Sequence, residues 1–286
     1  MDGSFAALTR SALLSAFDAG GMTAAEIGPA TTAFMLLGVL VVLIPALMLG
    51  VYGLGNWFYR GQPIIGWMRI FTIPYLRYFQ CVRVEGRTYI PRTIGPEGLI
   101  VVSTHGAGLD PIALTATIAH PIRWLMSVEM MAPHLGWMWR RMQVIPIAFD
   151  ARDATALKTA IAHINSGQAL GIFPEGGIER PSRMLRPFAG GLRLILTRTK
   201  APVLVAMIDP GRQASSAWGS YFMRTRATIR FVALVQPGVE GHSRGTSDAI
   251  FALLQKETGW PTNFEPMDPP DPETVETNLR AYSRQE

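Results

Sequence analysis

The segment Ser103-Thr104-His105-Gly106-Ala107-Gly108-Leu109-Asp110-Pro111 sets an imidazole five residues ahead of a carboxylate. The glycines at 106 and 108 allow the loop between them to fold back, so that Asp110 can reach the ring of His105. A carboxylate bonded to one ring nitrogen fixes the tautomer and leaves the other nitrogen as a base. Such a base can take a proton from a substrate hydroxyl in the transition state. The spacing alone also fits a blander arrangement. Asp110 stands just before Pro111, where it suits a helix N-cap, and His105 would then be an ordinary loop residue.

A second polar cluster lies at Ile172-Phe173-Pro174-Glu175-Gly176-Gly177-Ile178-Glu179-Arg180. An apolar run enters Pro174, which ends a strand, and the glycines let a ligand approach the backbone. Glu175 would stand at the sheet edge. Arg180, Arg183 and Arg186 follow closely and are of the type that binds phosphate. A Gly-rich turn with solvated charges is the competing reading.

Both clusters follow short apolar runs. Leu99–Thr104, Gln143–Ala148, Ala169–Phe173, Pro202–Ile208 and Thr228–Val235 read as buried strands, being short, rich in branched residues and bounded by Gly, Pro or polar residues. Residues 111–119, 125–141, 153–166, 190–199 and 246–256 read as helices. This alternation predicts an α/β domain with a largely parallel central sheet flanked by helices. In such a sheet, functional groups gather where strands end. The tail beyond residue 260 is Pro-rich and acidic and is expected to be loosely ordered.

Hydrophobic residues make up 49% of the chain and charged ones 16%, with a mean hydropathy of +0.21. That is too apolar for an ordinary soluble domain and too mixed for a polytopic membrane protein. No charged residue occurs between Glu26 and Arg60. Within that gap Ala33–Leu54 would span roughly 33 Å as a helix, enough for a hydrocarbon core of about 30 Å. Pro45 is tolerated in such a helix. A cleaved signal peptide fits less well, because the preceding segment leans acidic and the apolar run is long. Residues 56–80 then mix Trp57, Phe58, Tyr59, Trp67, Phe71, Tyr75, Tyr78 and Phe79 with Arg60, Arg69 and Arg77, a composition that settles at lipid headgroups. Arg83, Arg87 and Arg92 continue the positive excess, which places the following domain on the cytoplasmic side. The net charge of +5 would suit nucleic acid or an anionic membrane, and this context favours the membrane. The single cysteine, Cys81, allows no internal disulfide and no Cys pair for zinc, which suits a reducing compartment.

Taken together, His105-x-x-x-x-Asp110 and Phe173-Pro174-Glu175-Gly176 resemble the motifs of the glycerolipid acyltransferase family, of which lysophosphatidate (1-acyl-sn-glycerol-3-phosphate) acyltransferases are members. The order of motifs agrees: Val82-Arg83-Val84-Glu85-Gly86, the His/Asp segment, the Pro-Glu-Gly segment, then an apolar strand from Pro202. The resemblance covers about residues 80–210. It implies His105 as general base, Asp110 as its orienting partner, and Glu175 and Gly176 as contacts to the acceptor's glycerol or headgroup. It implies an acyl-CoA or acyl carrier protein donor, attacked directly by a lysophospholipid hydroxyl without an acyl-enzyme, and no cofactor or metal. With the composition read above, the chain divides into an N-terminal extension (1–29), a membrane helix with an interfacial segment (30–80), an acyltransferase domain (81–260) and a tail (261–286). Membrane lipids are the expected partners; nucleic acid is not.

The chain departs from that pattern where the family carries cations. After the second predicted strand the family has an Arg, whereas Ala148 and Phe149 stand here and Arg152 comes late. Gly177, Ile178 and Glu179 replace Thr-Arg-Ser, with Arg180 displaced by two. Ala189 follows Phe188 where a basic residue is usual. Either Arg152, Arg180 and Arg186 supply the phosphate contacts, or the acceptor is no simple phosphate monoester, being a different lipid or glycolipid hydroxyl; a non-catalytic lipid-binding relative is the remaining class.

Other motifs point elsewhere. Gly241-His242-Ser243-Arg244-Gly245 spells a serine-esterase elbow, but Pro237 and Gly238 separate it from the last strand and no His follows. Cys81 has no nearby His or Asn. Gly50, Gly53 and Gly55 lie in the membrane run. His120, His134 and His163 lack ligand spacing. Met126, Met130, Met131, Trp137, Met138, Trp139 and Met142 fit core packing as well as an acyl tunnel.

Overall fold

The computed structural model describes residues 29–58, 63–118, 120–148, 154–236, 244–267 and 271–283. The chain separates into two compact units, Met1–Leu54 and Gly55–Glu286. Helix α1 (Pro29–Phe58) contains Pro45 and supplies all that is described of the first unit. Within it Leu37–Asn56 has a mean hydropathy of 2.4 and is long and apolar enough to cross a membrane. Arg60, the first charge after that span, lies outside the described residues.

The second unit is built on a sheet of seven strands among the described residues, in the order β1-β7-β6-β2-β5-β3-β4. The strands are β1 (Arg83–Glu85), β2 (Leu99–Ser103), β3 (Ile122–Ser127), β4 (Ile145–Ile147), β5 (Ala169–Ile172), β6 (Val203–Asp209) and β7 (Thr228–Val235). Every pairing is parallel except β6 with β7. The central strands are buried on both faces, which is why they read as continuous apolar runs. Alternate residues serve opposite cores. Ile100, Val102, Val203 and Val205 pack beneath α5 (Ala154–Asn165), α6 (Gly190–Arg198) and α7 (Arg244–Thr258). Leu99, Val101, Leu204 and Ala206 face α3 (Asp110–Thr117) and Leu76. Leu76 belongs to a π-helical turn, Tyr75–Phe79, that continues helix α2 (Pro63–Pro74).

Two expectations need correction. The helix expected over 125–141 does not form as one element. Residues 125–127 end β3, two 3-10 turns follow, and only α4 (Gly136–Arg141) is helical. Pro133 explains the break. It lacks an N–H and pushes Ala132 into an extended conformation, φ −53° and ψ 125°. The tail is the second. Residue Leu185 pairs with Thr262 in an isolated parallel bridge. Helix α8 (Pro272–Ser283) buries Asn278, whose amide donates to the carbonyl of Val128 at 3.0 Å. The methionine-rich segment packs as a small core of Met131, Trp139 and Val144 with Met126, Met138 and Met142.

Candidate active site

Strands β2 and β5 lie side by side in parallel, with Val102 opposite Ile172. The loops that leave them therefore start at the same sheet edge. One carries His105 to Asp110, the other Pro174 to Glu179.

Asp110 is buried, 3% exposed, at the first residue of α3. Its Oδ2 lies 3.0 Å from His105 Nδ1 and accepts the backbone N–H groups of Gly106 and Ala107, each at 2.8 Å. The carboxylate thus closes the loop behind it rather than capping the helix ahead, which corrects the N-cap expectation: the cap position is Leu109, with no side-chain bond. An ionised Asp110 requires the proton of a neutral His105 to sit on Nδ1, leaving Nε2 as the basic atom. The ring is held from the side as well. It stacks on Phe173 with centroids 4.0 Å apart, and Phe173 stacks on Trp124 at 4.9 Å. Trp124 in turn donates from Nε1 to Thr115 Oγ1 at 2.9 Å. A Cβ on Gly171 would come within 2.4 Å of the Trp124 ring, so the glycine inside β5 makes room for this stack.

Glu175 is also buried, and both of its oxygens are engaged. Oε1 accepts the backbone N–H of His105 and Oε2 that of Arg186, each at 3.1 Å. Burial pushes its carboxyl up to about 7, against the pull of these two bonds. Gly176 follows in the left-handed region, φ +83°, where glycine carries no steric cost.

The arginines are placed less freely than their spacing suggests. The guanidinium of Arg186 bonds Glu179 Oε2 at 2.9 Å and also the carbonyl of Glu265. Glu179 is buried, its other oxygen accepts from the amide of Asn263, and its own N–H donates to the carbonyl of His105 at 2.9 Å. Arg180 donates to the carbonyl of Ala214. Arg183 pairs with Asp209 at 3.1 Å. Arg152 lies outside the described residues, as do Phe149 and Gly241, His242 and Ser243 of the elbow-like segment.

Several supporting residues escaped the sequence reading. Gln213 donates to the carbonyls of Gly106 and Glu179, at 3.1 and 2.6 Å, and so joins the two loops. The phenol of Tyr221 donates to the carbonyl of Gly108 at 3.1 Å. Burial, and then the nearby charge of Asp110, hold that phenol well above its usual range, so it stays a donor. Neither residue carried a sequence signal. Trp124 did carry one, in the lone glycine of the strand beside it.

The Acyltransferase family model matches residues 81–209, which contain both loops in the observed order. This segment resembles acyltransferase-family domains. Among curated proteins none matches the chain. Among solved structures, the chain is similar to the crystal structure of the 1-acyl-sn-glycerophosphate (LPA) acyltransferase PlsC from Thermotoga maritima, with a TM-score of 0.54 and 19% identity over 79% of this chain and 91% of that one. The likeness in fold extends well beyond the matched segment. Other histidines in the domain serve structure: His120 bonds the carbonyl of Pro91 and His163 that of Ala169. Among the described residues no group of His, Cys, Asp or Glu could hold a metal.

Proposed function

We propose that the protein transfers a fatty acyl group from a thioester, acyl-CoA or acyl carrier protein, to the hydroxyl of a lysophospholipid at a membrane surface, with the domain in the cytoplasm. The observation that carries the reading is the bond of His105 Nδ1 to a buried Asp110 that also holds two amides of the same loop. That arrangement leaves Nε2 to accept the acceptor's proton as its oxygen attacks the thioester carbonyl. The tetrahedral intermediate collapses by expelling the thiolate, which takes the proton from Nε2, so His105 returns neutral. Asp110 stabilises the imidazolium in between. Backbone N–H groups are the donors suited to the oxyanion. The thioester donor needs no cofactor, because the leaving thiolate supplies the driving force.

Glu175 and Gly176 are proposed to border the acceptor, and Arg152, Arg180 and Arg186 to meet its phosphate. The pairing of Arg186 with Glu179 favours a second acceptor class, a lipid or glycolipid hydroxyl without a phosphate monoester at that point. Transfer of labelled acyl groups from acyl-CoA and from acyl carrier protein to a panel of lysolipids and neutral monoacyl lipids separates the readings. Wild-type protein should acylate one class, and His105→Ala should lose the activity. Equal rates for the two proteins would sink the proposed base, and no transfer to any acceptor would favour a lipid-binding role.

A further inference from the structure

Among the described aromatic side chains of the second unit, Phe222 is 85% exposed, Phe264 80%, Tyr78 70% and Phe71 67%. Single exposed apolar residues need no explanation, but Phe222 and Tyr78 stand on segments that are held together. Tyr78 lies in the π-helical turn and Phe222 in the loop 218–226, far apart in sequence, yet their backbones are bound together. Tyr75 Oη donates to the carbonyl of Tyr221 at 2.6 Å. The guanidinium of Arg224 donates to the carbonyls of Phe79 and Tyr78, at 2.9 and 3.3 Å. Beneath them the fully buried amide of Gln80 donates to Ser220 and accepts from both the N–H and the hydroxyl of Thr225. Gln80 thus fixes the turn and the loop as one surface.

The surface is cationic as well as aromatic. Arg77 and Arg224 are exposed, and the Arg77 guanidinium lies 6.0 Å from the centroid of the Tyr78 ring. Rings and arginines so mixed match the headgroup zone of an anionic bilayer better than a protein partner's apolar core. Chain continuity points the same way. Helix α2, which leads into the turn, begins at Pro63, seven residues after the apolar stretch that ends at Asn56.

We propose that the loop 218–226 is a second membrane contact, remote in sequence from the apolar helix: Phe222 and Tyr78 seat among lipid headgroups, and Arg77 and Arg224 meet lipid phosphates. The contact rests on the membrane reading of the apolar span, not on acyl transfer. It bears on the site, because Tyr221, next to Phe222, holds the carbonyl of Gly108 in the His–Asp loop. Docking would therefore hold that loop at the lipid surface.

The test uses the full chain in phosphatidylglycerol-containing vesicles and reads fluorescence, so it needs no turnover. Cys81 is the sole cysteine, so a Cys81→Ser background accepts one label at Phe222→Cys and, as a control, at the exposed Lys256→Cys on α7. The label at 222 should be quenched several-fold more by nitroxide-bearing lipid than the label at 256, and less by aqueous iodide. In phosphatidylcholine vesicles the lipid quenching at 222 should weaken. Equal quenching at the two sites would overturn the proposal. So would protection from iodide without lipid quenching, which would assign the surface to a protein partner.

Discussion

One carboxylate oxygen, Asp110 Oδ2, receives the His105 ring and two backbone amides. Replacing Asp110 with Asn can keep an oxygen at that point, but it removes the charge that offsets an imidazolium. Asp110→Asn should therefore lower kcat by roughly 10²-fold or more with little change in KM and a retained fold, whereas His105→Ala should cost about 10²–10⁴-fold. Steady-state kinetics of acyl transfer beside circular dichroism checks both, and an Asn variant of wild-type kcat would reduce Asp110 to a loop brace. Glu175 gives a pH signature of its own. Its folded carboxyl lies at about 7, above the ordinary 4.5, because it is buried. Between those values the folded state keeps a proton that the unfolded state has released. The stabilisation is full below pH 4.5 and is lost as pH rises through about 7, by on the order of 3 kcal/mol. Denaturation in detergent at pH 5 and pH 8 should show that fall in the wild type and a much smaller one in Glu175→Gln. An unchanged gap in the variant would assign the pH dependence elsewhere.

The site also depends on how elements meet. Trp124 on β3 backs Phe173, which backs the His105 ring, and Gly171 on β5 leaves the gap that Trp124 fills. Gly171→Ala should force that ring aside, destabilise the domain by about 1–3 kcal/mol, and lower activity through a displaced His105. Thermal melts with kinetics check it, and a variant stable and active as wild type would show the stack to be slack. Here the sequence's legibility divides by physical cause. Strands β2, β5 and β6 are continuous apolar runs, since they are buried on both faces, whereas β7 starts Thr-Ile-Arg-Phe and buries only Ile229 and Phe231. β1 is three residues long, with only Val84 half-buried, too short and too mixed to stand out. β3 begins Ile-Arg-Trp, and only its pairing with β5 makes Trp124 a buried strand residue rather than the start of a helix. The His and Asp were legible from one loop. Glu179, Gln213 and Asn263 were not, because their bonds join three separate parts of the chain. The same distance hid the tail, whose proline-rich composition says nothing of the bridge between Leu185 and Thr262.

At the scale of the whole molecule, the apolar helix and the domain are two units, and their membrane affinities can be measured separately. The helix has the length and hydropathy of a span. The domain exposes Phe71, Tyr78, Phe79 and Arg77 in one segment, the surface the proposed second contact uses. Arg69, by contrast, donates into the domain, to the carbonyl of Ala116. On the proposed membrane reading, deleting residues 1–55 removes a hydrophobic anchor and leaves an interfacial one. Such an anchor is held partly by arginines near anionic lipid, each worth roughly 1 kcal/mol, and is screened by salt. The truncated protein should therefore still sediment with anionic vesicles at low ionic strength, bind neutral vesicles weakly, and come off as salt is raised, whereas the full chain should resist salt. Vesicle sedimentation across a salt series reads all of this. If the truncated protein binds no vesicle at any ionic strength, residues 56–80 are no interfacial element, and membrane attachment belongs to the apolar helix alone.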